Sequence, residues 1–252
     1  MGKEKEAFEL INSSKYIVCL TGAGISVESG IPTFRGKGGL WEKYNPEIYG
    51  TLSGLTKVFL FSPSKVVNFA YEFGKTICQA KPNRMHFFLS DLEKNGNLKA
   101  IITQNIDNLH QKAGSKNVIE LHGNFFKWFC KKCGKEKIFG ESEIMEFLET
   151  LKKTKGRKNL IKKYYEFTRC ECGGHLRPSI VFFGELLPER EYRKAEEEME
   201  KCDLVLTIGT SGVVSPAADL PFIAKRNGAK LIDINPGESN FRKIADISLP
   251  FF

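Results

Sequence analysis

No apolar run of about 18 residues, the length of a membrane-spanning helix, occurs in the chain, and residues 1–10 are charged rather than apolar. Membrane insertion and a secretory leader are therefore not expected. Internal repeats and low-complexity tracts are missing too, which argues against solenoids and long disordered segments. Acid is lacking between Lys152 and Lys163, where Lys152, Lys153, Lys155, Arg157, Lys158, Lys162 and Lys163 supply much of a net charge of +8. No aromatic residue interleaves these cations as in a base-stacking platform. A solvated helix or loop face is the first reading, with nucleic acid or an acidic protein tail behind it. Seven cysteines, an odd number, cannot all pair, and four of them stand in two tight pairs. That usage fits a metal site in a reducing cytoplasm better than a secreted disulfide framework.

What is present is a chain of 252 residues, 41% hydrophobic and 27% charged, long enough for one large domain with an insert or for two small ones. Residues 4–13 read as a short amphipathic helix burying Phe8, Leu10 and Ile11. Residues 16–20 (YIVCL) read as a buried strand running into the glycine turn TGAG. Residues 99–103, 204–208 and 230–234 are short and apolar, as strands covered on both faces tend to be. Helical patterns at 84–94, 189–201 and 217–227 separate them. This alternation predicts an α/β fold with a doubly wound, parallel, Rossmann-like sheet. Two stretches, 36–81 and 124–177, interrupt it. They are expected to form a smaller helical, zinc-binding module, leaving 1–35, 82–123 and 178–252 as the nucleotide-binding domain.

In the turn Gly22-Ala23-Gly24 the glycines let backbone N–H groups approach a pyrophosphate, with a following helix aimed at it. The glycine after Gly24 is Gly30, and no acid ends a second strand about 20 residues on, so the dehydrogenase fingerprint fails. A hydride-transfer enzyme is disfavoured; a bound dinucleotide is not. Phe34 and Arg35 follow, a ring able to shield a reactive cation and a guanidinium able to pair with phosphate, although such loop residues are often only a plug and a solvated charge. At the carboxyl end of the strand ending at Thr103 stand Gln104, Asn105, Ile106 and Asp107, whose polar members suit an amide and a ribose. His122 has a side-chain type whose ordinary pKa suits a general base. His86 reads as a core or capping residue and His110 as support for its own loop. Cys130-x-x-Cys133 and Cys170-x-Cys172 form a four-thiolate set suited to structural zinc, with His175 near enough to replace a thiolate of the second pair.

In order, GAGIS, SGIPTFRG, QNIDNLH, ELHGN, the cysteine pairs, VFFGE, GTS and the turn at Asn235, Pro236, Gly237 and Glu238 resemble the sirtuins of bacterial or archaeal type, over about residues 16–246. The resemblance implies an NAD-consuming protein lysine deacylase with NAD as co-substrate and one structural zinc ion. It places Ala23, Phe34 and Arg35 on the cofactor loop, Gln104 by the nicotinamide ribose, and Asn105 and Asp107 by the carboxamide. Gly209, Thr210, Ser211, Asn235, and Asp246 or Ile247 would hold the adenosine half. Val181, Phe182, Phe183, Gly184 and Glu185 resemble the strand that pairs with an extended acyl-lysine peptide. The implied chemistry is attack of the acyl oxygen on the nicotinamide ribose, Asn105 and Asp107 orienting the leaving group. His122 then deprotonates a ribose hydroxyl, and lysine, nicotinamide and O-acyl-ADP-ribose are released. Nicotinamide is the expected product and inhibitor.

Thr33, the run Gly39-Leu40-Trp41 and the pair Pro63-Ser64 look like the branch that includes desuccinylases. Ala70 and Phe73 stand where that branch carries Tyr-x-x-Arg, so acetyl or longer apolar acyl groups are expected over succinyl. Two other readings remain at this point: an ADP-ribosyltransferase, and a non-catalytic NAD or ADP-ribose sensor.

Overall fold

A computed structural model describes residues 2–36 and 38–250. Its order is α1 (Gly2–Ser13), β1 (Ile17–Thr21), α2 (Leu40–Lys43), α3 (Pro46–Tyr49), α4 (Leu52–Phe61), α5 (Pro63–Gln79), α6 (Arg84–Lys94), β2 (Leu98–Thr103), α7 (Leu109–Lys112) and β3 (Val118–Glu120). There follow β4 (Lys127–Cys130), β5 (Glu136–Ile138), α8 (Glu141–Lys153), α9 (Arg157–Thr168), β6 (Leu176–Pro178), α10 (Glu189–Lys201), β7 (Leu204–Ile208), α11 (Leu220–Arg226), β8 (Lys230–Ile234) and β9 (Ile247–Leu249).

Successive strand residues point to opposite faces, and here both faces are covered. Ile17 and Cys19 of β1 join Ile101, Leu206 and Ile232 in a core closed by Ala7 and Ile11 of α1 and Leu89 of α6. Val18 and Leu20 join Ala100, Ile102, Val205 and Leu231 in a second core closed by Ala195 and Met199 of α10 and Ala224 of α11. Two-sided burial is why these segments carry almost no polar residues. Each such large side chain contributes roughly 1.5–3 kcal/mol. The sheet is parallel in the order β3-β2-β1-β7-β8-β9. β1 lies between β2 and β7, and the crevice at its carboxyl end is where open α/β sheets take ligands.

A small antiparallel sheet, β5-β4-β6, packs with α5, α8 and α9. Val67 and Ile77, Phe147 and Leu151, and Trp128 and Leu176 share one core, so side chains from both interrupting stretches are buried together. Ile31, Ile106 and Leu109 join it from the ligand end of the large sheet.

The helix expected after the glycine turn is a 3-10 helix over Ala23–Ser29. Three expectations are corrected. Phe8 is 43% exposed, and Ala7 is buried in its place, one helical turn before Ile11. Residues 181–185 make a bent, irregular segment rather than a strand. The 217–227 segment begins as a 3-10 turn before α11.

Candidate active site

The crevice is shaped first by glycine. Gly24 N–H donates to the Gly209 carbonyl at 2.8 Å, and a Cβ on Gly24 would stand 2.6 Å from Gly209 Cα. Gly209 itself has φ +63, the left-handed region, and a Cβ there would meet Ile25 N at 2.2 Å. The ends of β1 and β7 can touch only because both positions lack side chains. The turn over Ala23–Ser29 is held from below by Asn83, whose Nδ2 donates to Ile25 O at 2.7 Å and Ser29 Oγ at 3.1 Å.

Polar side chains gather above this contact. Asn105 Nδ2 donates to Gly22 O at 3.1 Å and Ser26 Oγ at 3.2 Å. Ser26 Oγ donates to Asp107 Oδ2 at 2.7 Å, and Leu109 N–H donates to Asp107 Oδ1 at 2.9 Å. Burial raises the Asp107 pKa, against the lowering effect of these two donors. Gln104 Nε2 reaches Thr210 Oγ1 at 2.9 Å, tying the end of β2 to the residues after β7. Ser26 was not singled out from sequence, although it lies within the quoted GAGIS motif.

His122 Nδ1 lies 3.0 Å from the Gln104 carbonyl. A carbonyl only accepts, so Nδ1 carries the proton and Nε2 keeps its lone pair. Burial holds the imidazole pKa below its ordinary value, partly offset by that hydrogen bond. His122 is therefore neutral near pH 7 and able to take a proton. Two residues before it, the Glu120 carboxylate accepts from Gln111 Nε2 at 2.7 Å, Lys127 Nζ at 2.9 Å and Asn124 Nδ2 at 2.5 Å.

On the open side, Phe34, Trp41 and Phe183 form a row, with ring centroids 5.6 Å and 5.9 Å apart; Arg35 is exposed beside it. Val181 N–H donates to His122 O at 3.0 Å and Phe183 N–H to Gly50 O at 2.9 Å. Arg177, missed from sequence, braces this segment. Its guanidinium donates to both Glu185 carboxylate oxygens, at 2.8 and 3.0 Å, and to Ile180 O at 2.8 Å, between the rings of Phe129 and Phe182. The pairing holds the Glu185 carboxyl below its usual range, against burial.

Beyond Gly209, Thr210 is buried and Ser211 exposed. Asp233, buried in β8, accepts from Thr207 Oγ1 at 2.7 Å and Asn235 Nδ2 at 2.5 Å, and so sets the turn through Pro236 and Gly237. Asp246 and Ile247 do not join the cleft. Asp246 bridges Lys225 at 2.8 Å and Lys230 at 3.0 Å and accepts from Leu231 N–H at 2.8 Å, at the opposite, amino-terminal end of β8. Burial raises its pKa, but Lys225, Leu231 N–H and Lys230 together pull it down to about 2. Ile247 is buried core, paired with Ile232.

Beneath the cleft, two buried histidines pack at 4.9 Å between ring centroids. His86 Nδ1 takes part in the N-cap of α6, and His110 Nε2 lies 2.9 Å from Thr21 Oγ1. Burial pushes His86 down to about 4 and His110 to about 3. The unfolded chain thus binds protons below pH 6.5 that the folded chain refuses, and stability falls as pH drops from about 6.5 towards about 4. Between about pH 7 and about pH 5 the loss is expected to reach about 2 kcal/mol per histidine. Urea midpoints at both pH values for wild type and His110→Gln check this: the variant is expected to show the shallower dependence.

Cys130, Cys133, Cys170 and Cys172 bring four Sγ atoms within 4.8 Å of one another. Cys130 and Cys172 are 3.5 Å apart, and Cys133 and Cys170 3.7 Å. A tetrahedron of thiolates on zinc has edges of ~3.8 Å. A Cβ on Gly174 would lie 2.8 Å from Cys130 Sγ, so the cradle admits only glycine there. The donor set fits one structural zinc ion, with no ligand position left for water. His175 is outside the group, its Nδ1 3.3 Å from Thr168 Oγ1 and its ring against Tyr165.

The family model for the Sir2 family matches residues 22–216. The chain belongs to the Sir2 family. Curated relatives include an NAD-dependent protein deacylase of Pyrococcus abyssi, 44% identical over 245 residues, covering 97% of this chain and 91% of the relative. An NAD-dependent protein deacetylase of Thermodesulfovibrio yellowstonii is 44% identical over 246 residues, covering 97% and 89%. Among solved Sir2 structures, one with a p53 peptide and NAD+ superposes with a TM-score of 0.78 at 39% identity, covering 98% of this chain and 92% of that one. Another, with a deacetylated p53 peptide and 3′-O-acetyl ADP-ribose, gives 0.80 at 39%, covering 98% and 93%. The Sir2-family assignment agrees with the parallel sheet, the glycine turn and the cysteine cluster. Among the described residues no helix is long and apolar enough to cross a membrane.

Proposed function

We propose that this Sir2-family chain is an NAD-dependent protein lysine deacylase, on the observation that a neutral His122, its Nε2 uncommitted, is held through Nδ1 to the carbonyl of Gln104, the residue before Asn105 in the Asn105-Ser26-Asp107 polar cluster. NAD, when bound, supplies a ribose carbon bearing a nicotinamide leaving group. Gly22, Ala23 and Gly24 offer backbone close enough for a pyrophosphate, with Arg35 as counter-charge. Asn105 and Asp107, locked through Ser26, present fixed polar atoms to a carboxamide, which is positioning without reorganisation. His122 Nε2 accepts the proton of a ribose hydroxyl, and its Nδ1–H bond to Gln104 O stabilises the imidazolium formed.

The row of Phe34, Trp41 and Phe183 screens the reacting centre from water. Residues 181–185, braced by Arg177, offer a backbone edge to an extended acyl-lysine peptide. Gly209, Thr210, Ser211, Asn235, Pro236 and Gly237 take the adenosine half. The chain divides as 1–35, 82–123 and 178–252 against 36–81 and 124–177, and works in a reducing cytoplasm, with nicotinamide as product and inhibitor.

Ala70 and Phe73 present no cation to an acidic acyl group; Phe73 stacks on Phe69 at 5.8 Å. Acetyl and longer apolar acyl-lysine peptides are therefore expected to turn over faster than succinyl-lysine peptides. Mass spectrometry of a peptide panel with NAD checks this. Free lysine, nicotinamide and O-acyl-ADP-ribose are expected; labelled ADP-ribose kept on the peptide would instead make the protein a transferase.

A further inference from the structure

The cations singled out in the sequence take no part in the site above, and the fold places part of that run beside a second feature. A groove of about 290 Å³ is lined by Ile48, Tyr49, Val58, Phe61, Lys57 and Lys65, with Ser62 at the start of α5. Its floor is apolar, while Phe61 is 87% and Leu60 51% exposed, a poor arrangement for surface rings left in water. Arg157, at the start of α9, donates to Leu60 O at 3.0 Å and so brings residues 155–158 to the end of α4. Among the described residues Lys57, Lys65, Lys155 and Lys158 have no carboxylate partner. No acid stands in the first turn of α5 or α9. Glu47, next to Ile48 in sequence, does not line the groove.

We propose that this groove is an exosite for an acidic segment of a protein substrate, one bulky apolar side chain filling it and flanking carboxylates meeting Lys57, Lys65 and the residue 155–158 cations. The volume, near the low end of the ~300–1,000 Å³ of small-molecule sites, fits a single side chain. Charge of one sign without internal partners selects an anionic occupant. Nucleic acid fits less well, because stacking needs a row of open rings along a charged track. The rings nearest these cations on α9 are engaged, Tyr164 with Phe147 at 6.3 Å and Tyr165 with His175 at 4.4 Å. Position also favours a substrate: Tyr49 lines the groove, and its neighbour Gly50 accepts from Phe183 N–H in the peptide-binding segment. One substrate protein can therefore span both. The proposal rests on the deacylase reading for its role, but its binding step can be measured without turnover.

The test is fluorescence anisotropy with a labelled, unacylated peptide, one phenylalanine flanked on both sides by aspartates. Wild type and His122→Ala are expected to bind alike, and Lys57→Glu/Lys65→Glu at least tenfold more weakly, with affinity falling as salt rises. Equal binding by the charge-reversed protein, or no binding by wild type, overturns the exosite. So does a single-stranded oligonucleotide of the same net charge that binds more tightly and is lost with the same variant. Joining the acidic segment to an acetyl-lysine peptide is expected to lower KM about tenfold in wild type only, leaving kcat unchanged. If the peptide binds but no acetyl-lysine substrate is turned over, the deacylase reading fails and the binding surface stands.

Discussion

His122→Ala is expected to reduce deacylation by about 10²–10⁴-fold, the usual contribution of one general base, with little change in folding. The imidazole is half-buried and makes one polar contact, to Gln104 O, so its removal leaves one carbonyl to be hydrated and creates no large void. The groups proposed above to hold the nucleotide survive the substitution: the glycine turn, the Ser26-Asn105-Asp107 cluster and the residues after β7. The loss should therefore appear in kcat, with the Kd for NAD nearly unchanged by calorimetry. The active form is the neutral one, so activity should fall as pH drops through an imidazole pKa that burial places below its ordinary value. A variant retaining wild-type kcat removes His122 from the mechanism.

Removing zinc is expected to have the largest effect on stability. The four thiols join the β4 end and its following turn to the loop before β6, and apparent binding free energies for such sites are about 10–16 kcal/mol. Losing even about 4 kcal/mol lowers Tm by about 8–16 °C in a chain of this size. Elemental analysis should find one zinc per chain, and a strong chelator or Cys133→Ser should lower Tm by at least that much. Peptide affinity should fall as well. Arg177 sits on β6 in the sheet that carries the cysteine cluster, and it grips Glu185 and Ile180 O at the segment proposed to bind peptide. A protein that keeps its Tm and peptide affinity after complete zinc removal rules out both the structural role and this coupling.

Four strands of the large sheet were legible because they obey one local rule, apolar on both faces, and Leu204–Ile208 and Lys230–Ile234 carry the expected bounds, whereas the three-residue edge strands β3 and β9 are too short to give a pattern. The small sheet was not legible. β5 is fully exposed and three residues long, and its order depends on thiols brought together from distant positions. The helix expected after the glycine turn takes the 3-10 form where Gly24 is pressed against Gly209, a contact between segments that no window of sequence contains. Site residues showed the same division. Asn105, Asp107 and His122 lie in local motifs, whereas Arg177 acquires its role only by reaching Glu185. The placement of Asp246 away from the cleft was not legible because its partners, Lys225 on α11 and Lys230 at the start of β8, come from other elements.

The central strand of the sheet has consequences for biosynthesis. β1 is made early, yet one of its two neighbours is β7, and the backbone N–H of Lys15 is anchored by Asp203, 188 residues later. Contacts so distant along the chain form late and slow the search for the native topology. Until Leu204–Ile208 leaves the ribosome, Gly22 and Gly24 have no Gly209 to press against and one edge of β1 stays bare. A nascent chain is thus catalytically silent and vulnerable to misassociation until most of its length has been translated.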